Sequence, residues 1–304
     1  MKIAIITYAA DHFLMPHLER LIEEATIRGH EVMKVRYPEC SLLFKNNQPM
    51  VYYRGDELPP FDAIIPWIIQ GQFELGIKVL RQFEAMGVFC LNSSQAFLDS
   101  VDKIRTYQHL VRHRINIIDT LYPADIDTER HISEHPNDTT PMIIKTIRGT
   151  RGRGVTMALN QTEIETIIED SPHDNTEFLI QKFIKESAGT DIRAYVVGGK
   201  IIAAMKRQSN TNDFRSNLSL GGQGTAVDLS RDERTIVIRA AKSVGLNSAG
   251  VDFMRTNHGP VIIELNASAE FGIEQITGRN IAIKIIEYVE RNAHRAGRKD
   301  KVGA

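Results

Sequence analysis

The sequence predicts an α/β unit followed by two α+β units, and three observations carry that reading. Apolar strand-like runs alternate with helix-like segments from Met1 to about Asn92, a glycine-rich turn joins two short strands near residue 150, and two hairpin signals follow Phe178. With 304 residues and 42% hydrophobic side chains, the chain can bury two or three cores.

In the first unit, Ile3 to Ile6, Val32 to Tyr37, Ala63 to Pro66 and Val88 to Leu91 read as strands. The first helix places Leu18, Leu21, Ile22 and Ala25 on one stripe and stops at Gly29, and the alternation implies a parallel sheet. Tyr8-Ala9-Ala10-Asp11-His12 stands where a dinucleotide turn needs Gly-x-Gly-x-x-Gly, which removes most support for hydride transfer.

In the second unit, a helix over Lys103 to Arg112 precedes a loop containing Pro and Asp. Strand Met142 to Ile147, a glycine turn and strand Val155 to Leu159 follow, then a helix opened by the capping box Thr162-Glu163-Ile164-Glu165. The third unit has two hairpins, a helix opened by the capping box Ser230-Arg231-Asp232-Glu233 and stopped at Gly245, and a closing amphipathic helix. The expected division is 1–95, 96–180 and 181–304.

Acidic and basic residues nearly cancel, 38 against 37, so no whole-molecule field steers the chain to nucleic acid, and direct nucleic-acid binding is not expected. The basic tail from Arg291 to Lys301 reads as a solvated helix end, with proximity to an RNA-rich partner as the competing reading. Cys40 and Cys90 suit a reducing compartment and give no disulfide framework. No apolar stretch is long enough to span a bilayer, and the first strand meets Asp11 and His12 before any signal-like region develops, so a cytoplasmic location is expected.

The strongest constellation is Ala249-Gly250-Val251-Asp252-Phe253-Met254-Arg255, a turn Asn257-His258-Gly259, then Pro260-Val261-Ile262-Ile263-Glu264-Leu265-Asn266. A three-residue loop centred on His258 sets Asp252 opposite Glu264, roughly 5 Å apart at Cβ, with Asn266 on the same face. Val251, Phe253, Ile263 and Leu265 then line a core. Facing carboxylates repel, so the pair calls for a compensating cation, and all-oxygen ligation suits magnesium or manganese; a polar face balanced by Lys or Arg is the structural alternative.

Lys145 leads into a second constellation, Gly149-Thr150-Arg151-Gly152-Arg153-Gly154, whose glycines let backbone N–H groups approach phosphate oxygens. A strand follows it, so it is neither a P-loop nor a dinucleotide turn but a flap able to close over a nucleotide; an ordinary hairpin tip is the alternative. A third cluster, Lys206-Arg207 with Asp213-Phe214-Arg215-Ser216-Asn217, suits a transferring phosphoryl group or a carboxylate. The Gly198-Gly199 hairpin signal sets Asp191 near Lys206, where a structural ion pair is the competing reading. His109 and His113 lack the Glu of a metalloprotease helix, and no nucleophile elbow exists.

The order of parts resembles the ATP-grasp superfamily. Asp191-Ile192-Arg193, Asp213-Phe214-Arg215-Ser216-Asn217-Leu218, Ala249-Gly250-Val251-Asp252 and Glu264-Leu265-Asn266-Ala267-Ser268 look like the RimK family of glutamate ligases, over almost the whole chain. The resemblance implies a three-domain ATP-grasp fold: an N-terminal parallel α/β domain, a central glycine-flap domain and a C-terminal metal-binding domain. It implies ATP between the last two, with Lys103, Lys145, Gly149, Gly152 and Gly154 at the nucleotide and Lys182 and Phe183 at the adenine. Asp191 would lie beside the nucleotide, and Arg215, Ser216 and Asn217 near the phosphates. Arg207, Arg215 and Asn217 would act in catalysis, while Asp252, Glu264 and Asn266 would hold two magnesium or manganese ions.

The implied reaction activates a carboxylate as an acylphosphate, which an amine attacks, with glutamate added to a protein or peptide C-terminus such as that of a small-subunit ribosomal protein. A small coenzyme or amino-acid acceptor, and an ATP-binding regulatory module without catalysis, are the competing readings. The family also suggests a homo-oligomer. This chain departs from the family after Ser268, where Ala269-Glu270-Phe271-Gly272 replaces Pro-Gly and a longer loop. It also carries Arg153 where the flap is expected to have a small or apolar residue.

Overall fold

A computed structural model describes residues 1–10, 15–69, 72–123, 141–147, 154–169, 177–210, 214–216 and 221–293. The N-terminal part runs β1 (Lys2–Thr7), α1 (Pro16–Ile27), β2 (Glu31–Arg36), β3 (Cys40–Lys45), β4 (Gln48–Tyr53), β5 (Asp56–Glu57), β6 (Ala63–Trp67), α2 (Phe73–Ala85), β7 (Phe89–Cys90) and α3 (Ser94–Val101). Its main sheet has the order β2-β1-β6-β7, with every pairing parallel. Ile3 to Thr7 are all buried because both faces are covered. Ile3 and Ile5 join the cluster that holds α1's Leu18, Leu21 and Ala25, whereas Ala4 and Ile6 join α2's Ile77, Leu80 and Phe83.

The expected βα alternation has one interruption. Strands β3, β4 and β5 form a separate antiparallel sheet whose first turn, Asn46-Asn47, has φ 53° and 59°, the left-handed pair that a two-residue hairpin requires.

Next come α4 (Lys103–Arg112), β8 (Thr120–Leu121), β9 (Met142–Thr146), β10 (Val155–Ala158), α5 (Gln161–Glu169) and β11 (Phe178–Lys182). Asp102 separates α3 from α4 and caps the latter, accepting from the N–H groups of Ile104 and Arg105. The antiparallel sheet β10-β9-β11-β8 encloses a small core of Ile144, Ala158, Ile164 and Ile180. Helix α5 starts earlier than its expected capping box. Asn160 is the residue that accepts from the Glu163 N–H, at 3.0 Å, and Glu163 reaches back to the Leu159 N–H, so an amide two positions upstream displaces Thr162 as the cap.

The last part comprises β12 (Thr190–Val197), β13 (Lys200–Gln208), β14 (Gln223–Ala226), α6 (Arg231–Ser243), β15 (Ser248–Thr256), β16 (Gly259–Asn266), α7 (Gly272–Thr277) and α8 (Ile281–Ala293). Ser230 and Glu233 form the expected capping box of α6, and Gly245, at φ 77°, follows its end. The sheet β14-β13-β12-β15-β16 is antiparallel throughout. One face carries Ile192, Ala194, Val196, Val251, Phe253 and Leu265 into a core with α4 and α6. The other face is divided. Tyr195, Val197 and Met205 pack with Phe271, Ile273 and α8, while farther along the same strands the face turns charged and opens toward the central sheet.

Candidate active site

Between the central and C-terminal sheets lies a solvent-open cleft of about 900 Å³. Registers across four strands lay Met205, Arg193, Asp252 and Glu264 in one row. The neighbouring rows carry Tyr195, Gly250 and Asn266 on one side and the Arg207–Asp191 pair on the other.

Asp252 does face Glu264, but the local route differs from the expectation. The turn has two residues, Asn257 and His258, with Thr256 paired to Gly259, and a bulge between Asp252 and Phe253 restores the register. The bulge also reassigns the isoleucines. Ile262 pairs with Phe253 and enters the core at 0% exposure, while Ile263, expected in the core, lines the cleft. A second bulge, in β12–β13, sets Asp191 opposite Arg207 instead of Lys206.

The cation that the facing carboxylates call for is supplied by the protein. Arg193 grips Asp252 through two bonds, Nε to Oδ1 at 2.7 Å and Nη2 to Oδ2 at 2.6 Å, and its Nη2 lies 3.9 Å from Glu264 Oε1. Arg207 holds Asp191 through two bonds of 2.6 Å and extends Nη2 to Asp252 Oδ2 at 2.8 Å. These charge-assisted forks decide the protonation of Asp252. Burial alone would raise its carboxyl, but the two guanidiniums outweigh burial and hold it well below the usual carboxylate range. Burial wins at Asp191, which is pushed up even though Arg207 and a Ser216 hydrogen bond oppose the shift.

Lys145, on β9, faces this floor from the opposite wall. Burial pushes its ammonium down to about 8, Lys103 adds to that shift, and Glu264 opposes it. Lys103, the first residue of α4, donates to the Ile147 carbonyl at 3.0 Å. Lys182, Phe183, Arg215 and Ser216 also line the cleft, with the Arg215 guanidinium 5.8 Å from the Phe214 ring centroid. Gly154 has φ 71°, and a Cβ there would stand 2.5 Å from Thr146 Oγ1, so this flap position accepts glycine only. Gly149, Gly152, Arg153, Asp213 and Asn217 lie outside the described residues.

The structure thus gathers Lys103, Lys145, Gly154, Lys182, Phe183, Asp191, Arg207, Arg215, Ser216, Asp252, Glu264 and Asn266 around or beside one cleft. Sequence reasoning missed Arg193 and Gln181, both of which act across strands. For a divalent ion, Glu264 and Asn266 are suitable oxygen donors: the Glu264 side chain is 34% exposed, and Asn266 Nδ2 donates to Glu264 Oε1 at 3.1 Å. Asp252 fits less directly, because it is 2% exposed and both of its oxygens already accept from guanidinium.

Comparison with known proteins agrees with this architecture. The profile of the RimK PreATP-grasp domain matches residues 1–97, and that of the RimK-like ATP-grasp domain matches residues 100–289. A relative from Nitrosococcus oceani named probable alpha-L-glutamate ligase is 41% identical over 296 residues, covering 97% of each chain. One of the same name from Methanococcoides burtonii is 40% identical over 293 residues, covering 96% of each. Among solved structures, the ATP-grasp ligase PsnB complexed with minimal precursor, Mg and ADP superposes with a TM-score of 0.72 at 19% identity, covering 96% of this chain and 98% of that one. The D-alanine–D-alanine ligase of Bacillus anthracis complexed with ATP gives 0.65 at 14% identity, covering 97% and 98%. These structural likenesses show the fold, and the profiles and relatives show the family: this chain belongs to the RimK family of ATP-grasp ligases.

Proposed function

We propose that the chain is an ATP-dependent glutamate ligase acting on the C-terminus of a protein or peptide, with a small-subunit ribosomal protein as the first acceptor to test. The observation that carries the reading is the cleft itself, in which Lys145 and Lys103 face the carboxylates of Asp252 and Glu264. Such a site suits a polyphosphate on the cationic side and a divalent ion on the acidic side. The glutamate specificity rests on the relatives' names, and the ribosomal acceptor on the family resemblance.

In this mechanism Lys145 and Arg215 neutralise phosphate oxygens while the γ-phosphoryl of ATP passes to the acceptor carboxylate, so that ADP leaves and an acylphosphate forms. The glutamate amine attacks the acyl carbon, an amide forms, phosphate leaves, and the amine proton passes to phosphate or water. Magnesium or manganese held by Glu264 and Asn266, with Asp252 as third donor, would supply further charge neutralisation. Arg193 and Arg207 hold Asp252 ionised and in place, and Lys182 and Phe183 flank the base.

The deciding experiment incubates the protein with ATP, magnesium, glutamate and purified small-subunit ribosomal proteins, then reads ADP release and acceptor mass. Mass increments of glutamate on one of these proteins are expected, and turnover with small-molecule acceptors alone would overturn the protein-directed reading. Glu264→Ala should abolish amide formation while lowering stability by no more than about 1 kcal/mol, since a partly exposed carboxylate contributes little to folding. Unchanged amide formation in that variant would remove the metal assignment.

A further inference from the structure

Acidic and basic residues nearly cancel over the whole chain, 38 against 37, but the structure segregates them. Arg20, Arg28, Arg193, Arg207 and Arg255 each meet a carboxylate. On the side of the C-terminal sheet that faces away from the cleft, the pattern reverses. Arg112 at the end of α4, Arg114 beyond it, and Arg234, Arg239 and Lys242 on α6 are exposed, and among the described residues none of them forms an ion pair.

Local contacts join these cations into one surface. Arg239 Nη2 donates to the carbonyls of His113 and Arg114, which ties α6 to the end of α4. Lys242, three residues on, shares the helix face of Arg239 and leans over the turn between β12 and β13. A Cβ at Gly199 would stand 3.2 Å from Lys242 Cε, so Lys200, exposed at the next position, extends the row. Carboxylates do not offset it. Asp232, the exposed one on α6, stands in the first turn at the far end from Lys242, and Glu233 is buried and bonded to Arg255. Cations gathered in this way repel one another, and a polyanion relieves that repulsion.

We propose that the outer surface of α4 and α6 binds RNA through its phosphates, without reading base sequence. Guanidinium forks match phosphate oxygens, and Arg239 is already oriented by two carbonyls, so less side-chain freedom is lost on binding. From Arg234 to Lys242 the helix advances about 12 Å, enough to follow a strand rather than a single phosphate. A membrane surface fits less well, because an interfacial helix needs an apolar face, and among the described residues of these two helices Val111 is the large apolar side chain left exposed. Helices α4 and α6 pack on the sheet face opposite the cleft, so a bound strand leaves the cleft open to its own substrates.

The test follows the fluorescence anisotropy of a labelled, unstructured RNA of about 20 nucleotides as full-length protein is added in saturating ATP, which keeps the strand out of the cleft. With about four phosphates neutralised, affinity should fall about fiftyfold between roughly 50 and 200 mM salt. The combined changes Arg112→Glu, Lys200→Glu and Lys242→Glu should weaken binding at the lower salt by about tenfold or more and flatten the salt dependence. Lys45→Glu, Lys78→Glu and Arg81→Glu, exposed positions in the N-terminal part, make the same change in net charge and should alter affinity by less than about threefold. Where the first set does not fold, the glutamine versions of the same three positions take its place. Absence of RNA binding by wild-type protein at the lower salt, or equal losses in the two sets, would overturn the proposal. So would tighter binding of poly-L-glutamate or of phosphatidylserine vesicles that the first set abolishes, since the surface would then belong to an acidic protein or a membrane. Neither glutamate nor an acceptor enters the experiment, so its outcome is separate from that of the ligase reading.

Discussion

On the floor of the cleft, Asp191 and Asp252 are each held by a guanidinium at 2.6 Å, and Arg207 joins them into one network. On the wall above, desolvation pushes the Lys145 ammonium down to about 8, and Lys103 beside it adds like charge. The floor holds its counter-charges internally: two arginines match two aspartates, leaving the partly exposed Glu264 to face the cleft. The wall does not. A buried cation opposed chiefly by desolvation gains most when an anion arrives, whereas a closed ion network gains little. The difference assigns rigidity to the floor and capture of anions to the wall.

Breaking the floor should have the largest effect. Arg207→Met leaves Asp191 without its bidentate partner and Asp252 with Arg193 alone, so unfolding free energy measured in urea should fall by about 3–5 kcal/mol. Adding Asp191→Asn should restore part of that loss, because the second change neutralises the charge the first one stranded. Independent, additive losses would show that the two side chains are not coupled as the geometry implies.

The floor also shows how much of the site was legible beforehand. Asp252 opposite Glu264 was readable because a hairpin register is local, although the two-residue turn and the bulge each shifted the count by one and cancelled. Where only one bulge intervened, in β12–β13, the expected partner of Asp191 was off by one residue. Arg193 reaches Asp252 across β12–β15, strands 59 positions apart at this contact, and no sequence window contains that pairing. The parallel N-terminal sheet was legible from its nearly continuous apolar runs. The small sheet β3-β4-β5 was not, because β3 and β5 are largely exposed and the Asn46-Asn47 turn lacks the glycine that marks a hairpin most clearly.

Removing the wall's cation should give the opposite profile from Arg207→Met. Lys145→Met deletes a charge that burial disfavours, so the urea midpoint should stay level or rise, while ATP affinity falls by about tenfold to a hundredfold. A fall in stability comparable to that of Arg207→Met would mean that Lys145 belongs to the structural network, and the contrast between floor and wall would fail.

The smallest effect is also the most specific, because it follows from the direction of a single titration. The Lys145 ammonium is pushed down from 10.5 to about 8, so the unfolded chain holds this proton more tightly than the folded one, and its contribution favours the folded state increasingly as pH rises from about 8 toward 10.5. Nucleotide binding has the opposite sign. Phosphate favours the charged ammonium, and free protein loses that charge above about 8, so affinity should decline by about eightfold between pH 7.5 and 9 if the bound form stays protonated throughout. Proton uptake on binding, obtained by calorimetry in buffers of different ionisation enthalpy, should rise across the same window. In Lys145→Met both the decline and the uptake should flatten, leaving only the weaker affinity common to all pH values. A decline that persists in the variant would move the titration to another group and leave Lys145 without its role at the phosphates.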